Sequence, residues 1–202
     1  VPNVSQVQVG ASDKVTFESA LRSILRHDPD VVMIGEVRDL ATADIALKAA
    51  LTGHLVFSSL HTNTAVGAVT RLMDFGCEPY LVGATLAGAI SQRLVRRLCH
   101  ACREEVDVDD EKRALIGDYE LKRHFHSVGC PQCLGTGYSG RIGLFECFWT
   151  GDETRELISK GAAEHEISQV GGDLHKTMFR DGLAKVSFGL TSLEEVIGVT
   201  IG

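Results

Sequence analysis

A carboxylate and an imidazole each stand just past a short apolar run in this sequence. Glu36 follows Val31-Val32-Met33-Ile34-Gly35, and His61 follows Leu55-Val56-Phe57-Ser58-Ser59-Leu60. If the two runs are neighbouring parallel strands, Glu36 and His61 share the carboxyl-end rim, where open α/β sheets bind ligands. An acid and an imidazole there could position a water and sense a phosphate, as phosphoryl transfer requires. For either residue alone, a surface glutamate or a capping histidine is the plainer reading; finding both at strand ends shifts the weight toward chemistry. Gly35 would let the backbone approach a ligand closely. A second constellation is Cys99-His100-Ala101-Cys102 with Cys130-Pro131-Gln132-Cys133. Two C-x-x-C knuckles offer four thiolates, the donor set of a closed tetrahedral Zn²⁺ site with no position open for catalysis. Redox dithiols or two disulfides are the weaker alternatives. Cys77 and Cys147 stand alone and read as ordinary buried residues.

The elements that must position these groups are legible in the periodicity. Val31–Ile34 is unbroken, apolar and mostly β-branched, the pattern of a strand buried on both faces of a parallel sheet. The Ala- and Leu-rich stretch 41–52, closed by Gly53, reads as the helix crossing back to the second strand, giving a βαβ unit. Upstream, Phe17, Leu21, Ile24 and Leu25 recur at helical spacing behind a possible N-cap at Thr16. That helix carries Arg22 and Arg26 on one face, a mildly repulsive pair unless an anion lies near. Residues 1–10 alternate weakly and suggest an edge strand. Residues 64–75 read as an amphipathic helix ended by Gly76. Residues 81–98, with Leu86, Ile90, Leu94 and Leu98 four apart, read as one long helix whose last turn holds Arg93, Arg96 and Arg97. The 27 residues between the knuckles, acidic and then basic, read as a solvated loop. Beyond Asp152 the pattern is helical (154–159, 164–170 and 174–188), with a capping-box spacing at Thr191-Ser192-Leu193-Glu194 before a last short helix.

Composition narrows the class. The chain has 202 residues, 44% of them hydrophobic, with a net charge of −7, a pI near 5.6 and a mean hydropathy of +0.06. That is enough apolar content for a core plus a small appendage. An acidic balance argues against a general nucleic-acid binder, and no apolar run approaches the ~20 residues needed to span a bilayer. Neither a secretory leader nor a disorder-type composition is visible, which suits a cytoplasmic protein.

Several long words, in order, resemble one family. Asp28-Pro29-Asp30-Val31-Val32-Met33-Ile34-Gly35-Glu36-Val37-Arg38-Asp39, the linker from Ala41 to His54 and the run from Ser58 to Leu72 are similar to the Walker B and histidine boxes of the secretion ATPases that power type II secretion and type IV pilus assembly. The likeness extends more loosely over most of the chain. It implies an α/β fold with a RecA-like parallel-sheet half-domain over 1–98, a four-cysteine zinc module over 99–146 and a helical carboxyl-terminal region over 147–202. It implies catalytic roles for Glu36 and His61, phosphate or subunit contacts for Arg22, Arg26 and Arg38, and structural Zn²⁺ on Cys99, Cys102, Cys130 and Cys133. It also implies ATP and Mg²⁺ as cofactors of the full-length protein, and a cytoplasmic homo-hexamer bound peripherally to the inner membrane through platform proteins, with no nucleic acid. Retraction motors generally lack the four-cysteine module, so its presence points to secretion or assembly. No G-x-x-x-x-G-K-[ST] phosphate loop occurs in the 202 residues. The chain is therefore expected to be the second half of the motor domain together with the segments beyond it, inactive by itself. Against this stand a zinc-bearing scaffold with no catalysis and, third, a zinc-ribbon nucleic-acid binder.

Overall fold

The computed structural model describes residues 4–9, 16–121 and 123–200. Helix α1 (Phe17–Leu25) starts where Thr16 accepts a hydrogen bond from the Ser19 amide at 3.1 Å, the capping role its position predicts. Strand β1 (Val31–Ile34) leads through Asp39, which caps the next helix by accepting from Thr42 N at 2.8 Å, into α2 (Leu40–Leu51). Gly53, at φ +102°, turns the chain into β2 (Leu55–Ser58). The two strands pair in parallel, Val31 opposite Leu55 and Ile34 opposite Ser58. The expected burial of both faces is not met. Val32 and Ile34 are buried, but Val31, Met33, Leu55 and Phe57 are exposed, because the described helices cover a single face of this pair.

Helix α3 (Gly67–Asp74) starts three residues later than its periodicity predicts, and Gly76 closes it as expected. The larger departure comes next. Only α4 (Pro79–Thr85) is helical, and the rest of the supposed long helix is β3 (Gly88–Leu98). Spacing of four is even, so Ile90, Leu94 and Leu98 suit a strand as readily as a helix, although in β3 Ile90 and Leu94 are exposed and the buried side chains are Ser91, Val95 and Leu98. Pairing with a later strand decides the matter. The arginines therefore end no helix. Arg96 instead donates from Nε at 2.9 Å and from its backbone amide at 2.8 Å to the Glu195 carboxylate, and its guanidinium lies over the Tyr138 ring.

The supposed loop between the knuckles is ordered too. Strands β4 (Arg103–Asp107) and β5 (Arg123–Ser127) pair antiparallel around α5 (Asp110–Ile116). After the second knuckle come β6 (Tyr138–Trp149), α6 (Asp152–Ser159) and α7 (Glu164–Val170). A short β7 (His175–Lys176), α8 (Met178–Ser187) and α9 (Leu193–Thr200) complete the chain. Strands β3, β6 and β7 form a sheet in that order. Residues 4–9 form no strand, and the rest of the stretch 1–10 lies outside the described residues. Cys77 is buried and Cys147 half-buried.

Two compact units result, Val1–Ala89 with Trp149–Gly171, and Ile90–Phe148 with Gly172–Gly202. The first is α/β, with Val69, Val82, Ile158 and Ile167 fully buried. The second packs α8 and α9 against β5 around Val95, Leu144, Leu183, Leu193 and Val196 and carries all four knuckle cysteines. Among the described residues no helix is long and apolar enough to cross a membrane.

Candidate functional site

The parallel ladder continues past the strand ends. Val37 N donates to Ser59 O at 3.0 Å, and Ser59 Oγ donates to Gly35 O at 2.6 Å. These two bonds hold the segments after β1 and β2 side by side, so Glu36 and His61 face one another across the rim. His61 Nε2 lies 2.8 Å from Glu36 Oε1, and Arg38 Nη2 lies 2.6 Å from Glu36 Oε2. The carboxylate is thus held at both oxygens. Its side chain is 22% exposed, whereas that of His61 is 86% exposed and open to a ligand. The Arg38 guanidinium, with His61 adding to it, holds the Glu36 carboxyl below the usual carboxylate range, and Glu36 in turn raises Arg38. An ionised acceptor between two donors orients a water well but pulls weakly on its proton. A Cβ at Gly35 would meet nothing within 4 Å, so no described residue demands glycine there.

The other predicted arginines sit elsewhere. Arg22 pairs with Glu18 at 2.9 Å along α1. It lines, with Arg26, Asp44, Lys48 and His54, an open groove of about 430 Å³ beside α1 and α2. Neither Glu36 nor His61 lines it.

In the second unit the four cysteines converge, with every Sγ within 4.8 Å of the others. Cys99 to Cys130 is 3.9 Å, Cys102 to Cys133 is 3.8 Å and Cys130 to Cys133 is 3.8 Å. A tetrahedron with Zn–S bonds of about 2.3 Å has edges of about 3.8 Å, so the set matches a metal site and is far too open for disulfides. Backbone sets this up. The amides of Cys130 and Gly137 donate to Cys133 Sγ at 3.2 and 3.1 Å. Against the burial that raises it, these donors bring the Cys133 thiol down to about 6, while burial pushes Cys102 up to about 12. His100, between the first two cysteines, is exposed and takes no part in the cluster. These four thiols could hold one metal ion.

A family model described as type II/IV secretion system protein matches residues 1–198. The chain belongs to that family. It is 48% identical over 203 aligned residues to the type II secretion system ATPase E of Vibrio cholerae, covering 99% of this chain and 40% of that protein. It is 45% identical to the type IV pilus assembly ATPase PilB of Thermus thermophilus, covering all of this chain and 23% of that one. The chain therefore spans two-fifths or less of the length of these relatives. Among solved structures, the pilus retraction motor PilT with bound ADP superposes with a TM-score of 0.66 at 28% identity, over 95% of this chain and 46% of that one. The α/β class, with its parallel strands and carboxyl-terminal helices, is shared with that solved structure, and the four-cysteine cluster is a feature of this chain.

Sequence reasoning misses the side chains that hold the His61 loop. Ser59 reads only as strand. Thr64 bonds Glu164, 100 residues away, and no local signal joins them.

Proposed function

We propose that this chain forms part of a cytoplasmic, hexameric ATPase whose ATP hydrolysis drives type II secretion or type IV pilus assembly, working with inner-membrane platform proteins. The observation that carries the reading is the Glu36–His61 contact of 2.8 Å at the carboxyl ends of two parallel strands. In the full-length protein Glu36 orients the attacking water, His61 contacts the γ-phosphate, and Arg38 holds the Glu36 carboxylate at its other oxygen. Arg22 and Arg26, set apart in their own groove, serve phosphate or subunit contacts from a neighbouring position. Bound Mg²⁺ would neutralise the charge of the ATP triphosphate beside these residues. Cys99, Cys102, Cys130 and Cys133 hold a structural Zn²⁺, which supplies a cross-link and no chemistry.

The test is Glu36→Gln in the full-length protein. It preserves size and removes charge, so nucleotide binding should persist while single-turnover hydrolysis on assembled hexamers falls on the order of 10²-fold, as misplacement of the attacking water predicts. Hydrolysis at the parental rate would reduce Glu36 to a strand-end carboxylate and refute the assignment.

A further inference from the structure

His61 sits in a segment without regular structure between β2 and α3, and its imidazole is largely in solvent. Its position is set by its own contact with Glu36 and by the bonds that hold the segment around it. At the amino end the pins are the Ser59 bonds to Gly35 and Val37. At the carboxyl end the pin is Thr64. Its Oγ1 accepts from Gly67 N at 2.9 Å and donates to Glu164 Oε1 at 2.6 Å. Thr62 Oγ1 donates to Thr64 O at 3.0 Å, folding the segment on itself. A hydroxyl-to-carboxylate bond of that length is of the short, charge-assisted kind, roughly twice as strong as a neutral one. Thr64 and Glu164 are both half-buried, and α3 packs on α7 in the same compact unit. Gly67 completes the fit, since a Cβ there would lie 2.6 Å from Thr64 Oγ1 and 3.6 Å from both Glu164 carboxylate oxygens.

We infer that Glu164, the first residue of α7, is a positioning residue for His61, acting through Thr64. Its hydrogen-bond partner is the Thr64 hydroxyl, so its part is to hold a neighbour and not to do chemistry. Its carboxylate fixes the Thr64 hydroxyl, which both starts α3 and ends the His61 segment, so movement of α7 is transmitted to the imidazole and to its bond with Glu36. The inference rests on the assignment of His61 to hydrolysis.

Two measurements keep the two ideas apart. On this chain, the relaxation of the His61 imidazole ¹H–¹³C signal reports its order directly. Glu164→Ala and Thr64→Val should each raise its mobility, and the double variant should be no worse than either single, as two halves of one bond behave. Thr64→Ser keeps the hydroxyl and should restore the parental signal, and Glu164→Gln keeps a neutral acceptor and should recover part of it, falling between the parent and Glu164→Ala. In the full-length protein, Glu164→Ala should lower kcat on the order of 10- to 100-fold, with KM for ATP changed less than about twofold, as misplacement of a catalytic group predicts. Unchanged His61 order in both Glu164→Ala and Thr64→Val overturns the inference, as does failure of the two conservative variants to rescue. If His61→Ala itself hydrolyses at the parental rate, the hydrolytic role of His61 falls, while the relaxation measurement on this chain still decides whether Glu164 holds it.

Discussion

Stripping the metal from the four-cysteine site is the perturbation with the most explicit consequence. Cys99 and Cys130 are 31 residues apart, and so are Cys102 and Cys133. The site therefore closes the loop that contains β4, α5 and β5. Cross-linking a loop of about 30 residues restricts the unfolded chain by roughly 3–4 kcal/mol, and a bound ion that ties the same residues contributes on that scale. For a cooperative unit of roughly 90 residues, 1 kcal/mol moves Tm about 4–8 °C, so loss of the ion should lower the transition of the second unit by roughly 15–30 °C. The first unit holds none of the ligands, and its transition should stay in place. Calorimetry with and without a chelator separates the two, and elemental analysis should find about one Zn²⁺ per chain. Cys102→Ser should reproduce the chelated profile without added effect from the chelator. Protein with near-zero zinc, four unreactive thiols and an unshifted second transition would refute the reasoning.

Burial holds the His124 imidazole below its usual pKa, Lys112 adding to the effect, and its ring makes no hydrogen bond of ordinary geometry among the described residues. The unfolded chain then binds a proton that the folded one refuses, so the second unit should be at full stability above pH ~6.5 and lose it as pH falls toward the lowered folded value; midpoints between pH 8 and 5 for the parent and His124→Phe check this, and an unchanged pH slope in the variant would count against it. Asp39→Ala removes the cap of α2 and should cost about 1 kcal/mol in a denaturant titration of the first unit. Isothermal calorimetry of this chain with Mg-ATP should show no micromolar binding, because Glu36, Arg38 and His61 cannot by themselves hold a triphosphate. In the full-length protein Arg22→Ala and Arg26→Ala should slow hydrolysis if their groove faces a nucleotide or a neighbouring subunit; rates within twofold of the parent would make that groove a solvated face.

Some of this molecule is legible because its cause is local. Thr16 and Asp39 cap helices through amides three residues on, and C-x-x-C spacing brings the two thiols of each knuckle together within a single turn, while the meeting of the two knuckles across 31 residues is a tertiary contact. Glu36 and His61 could be placed on one rim because each directly follows an apolar run that only a strand uses well. The stretch 88–98 was not legible. Its leucines four apart satisfy a helix and a strand equally, and the choice was made by pairing with β6, beginning some 40 residues later in the chain. The sequence overstates the burial of β1 for the same reason: an apolar run states what a strand tolerates, whereas the elements packed on it decide which face is covered. The lowered pKa of Glu36 comes from Arg38 and His61 reaching opposite oxygens, and the segment that carries His61 ends on a threonine bonded to a glutamate 100 residues away. Periodicity and spacing reach only as far as one element. Contacts between elements are set by packing the whole unit, so they were decided by the tertiary structure alone.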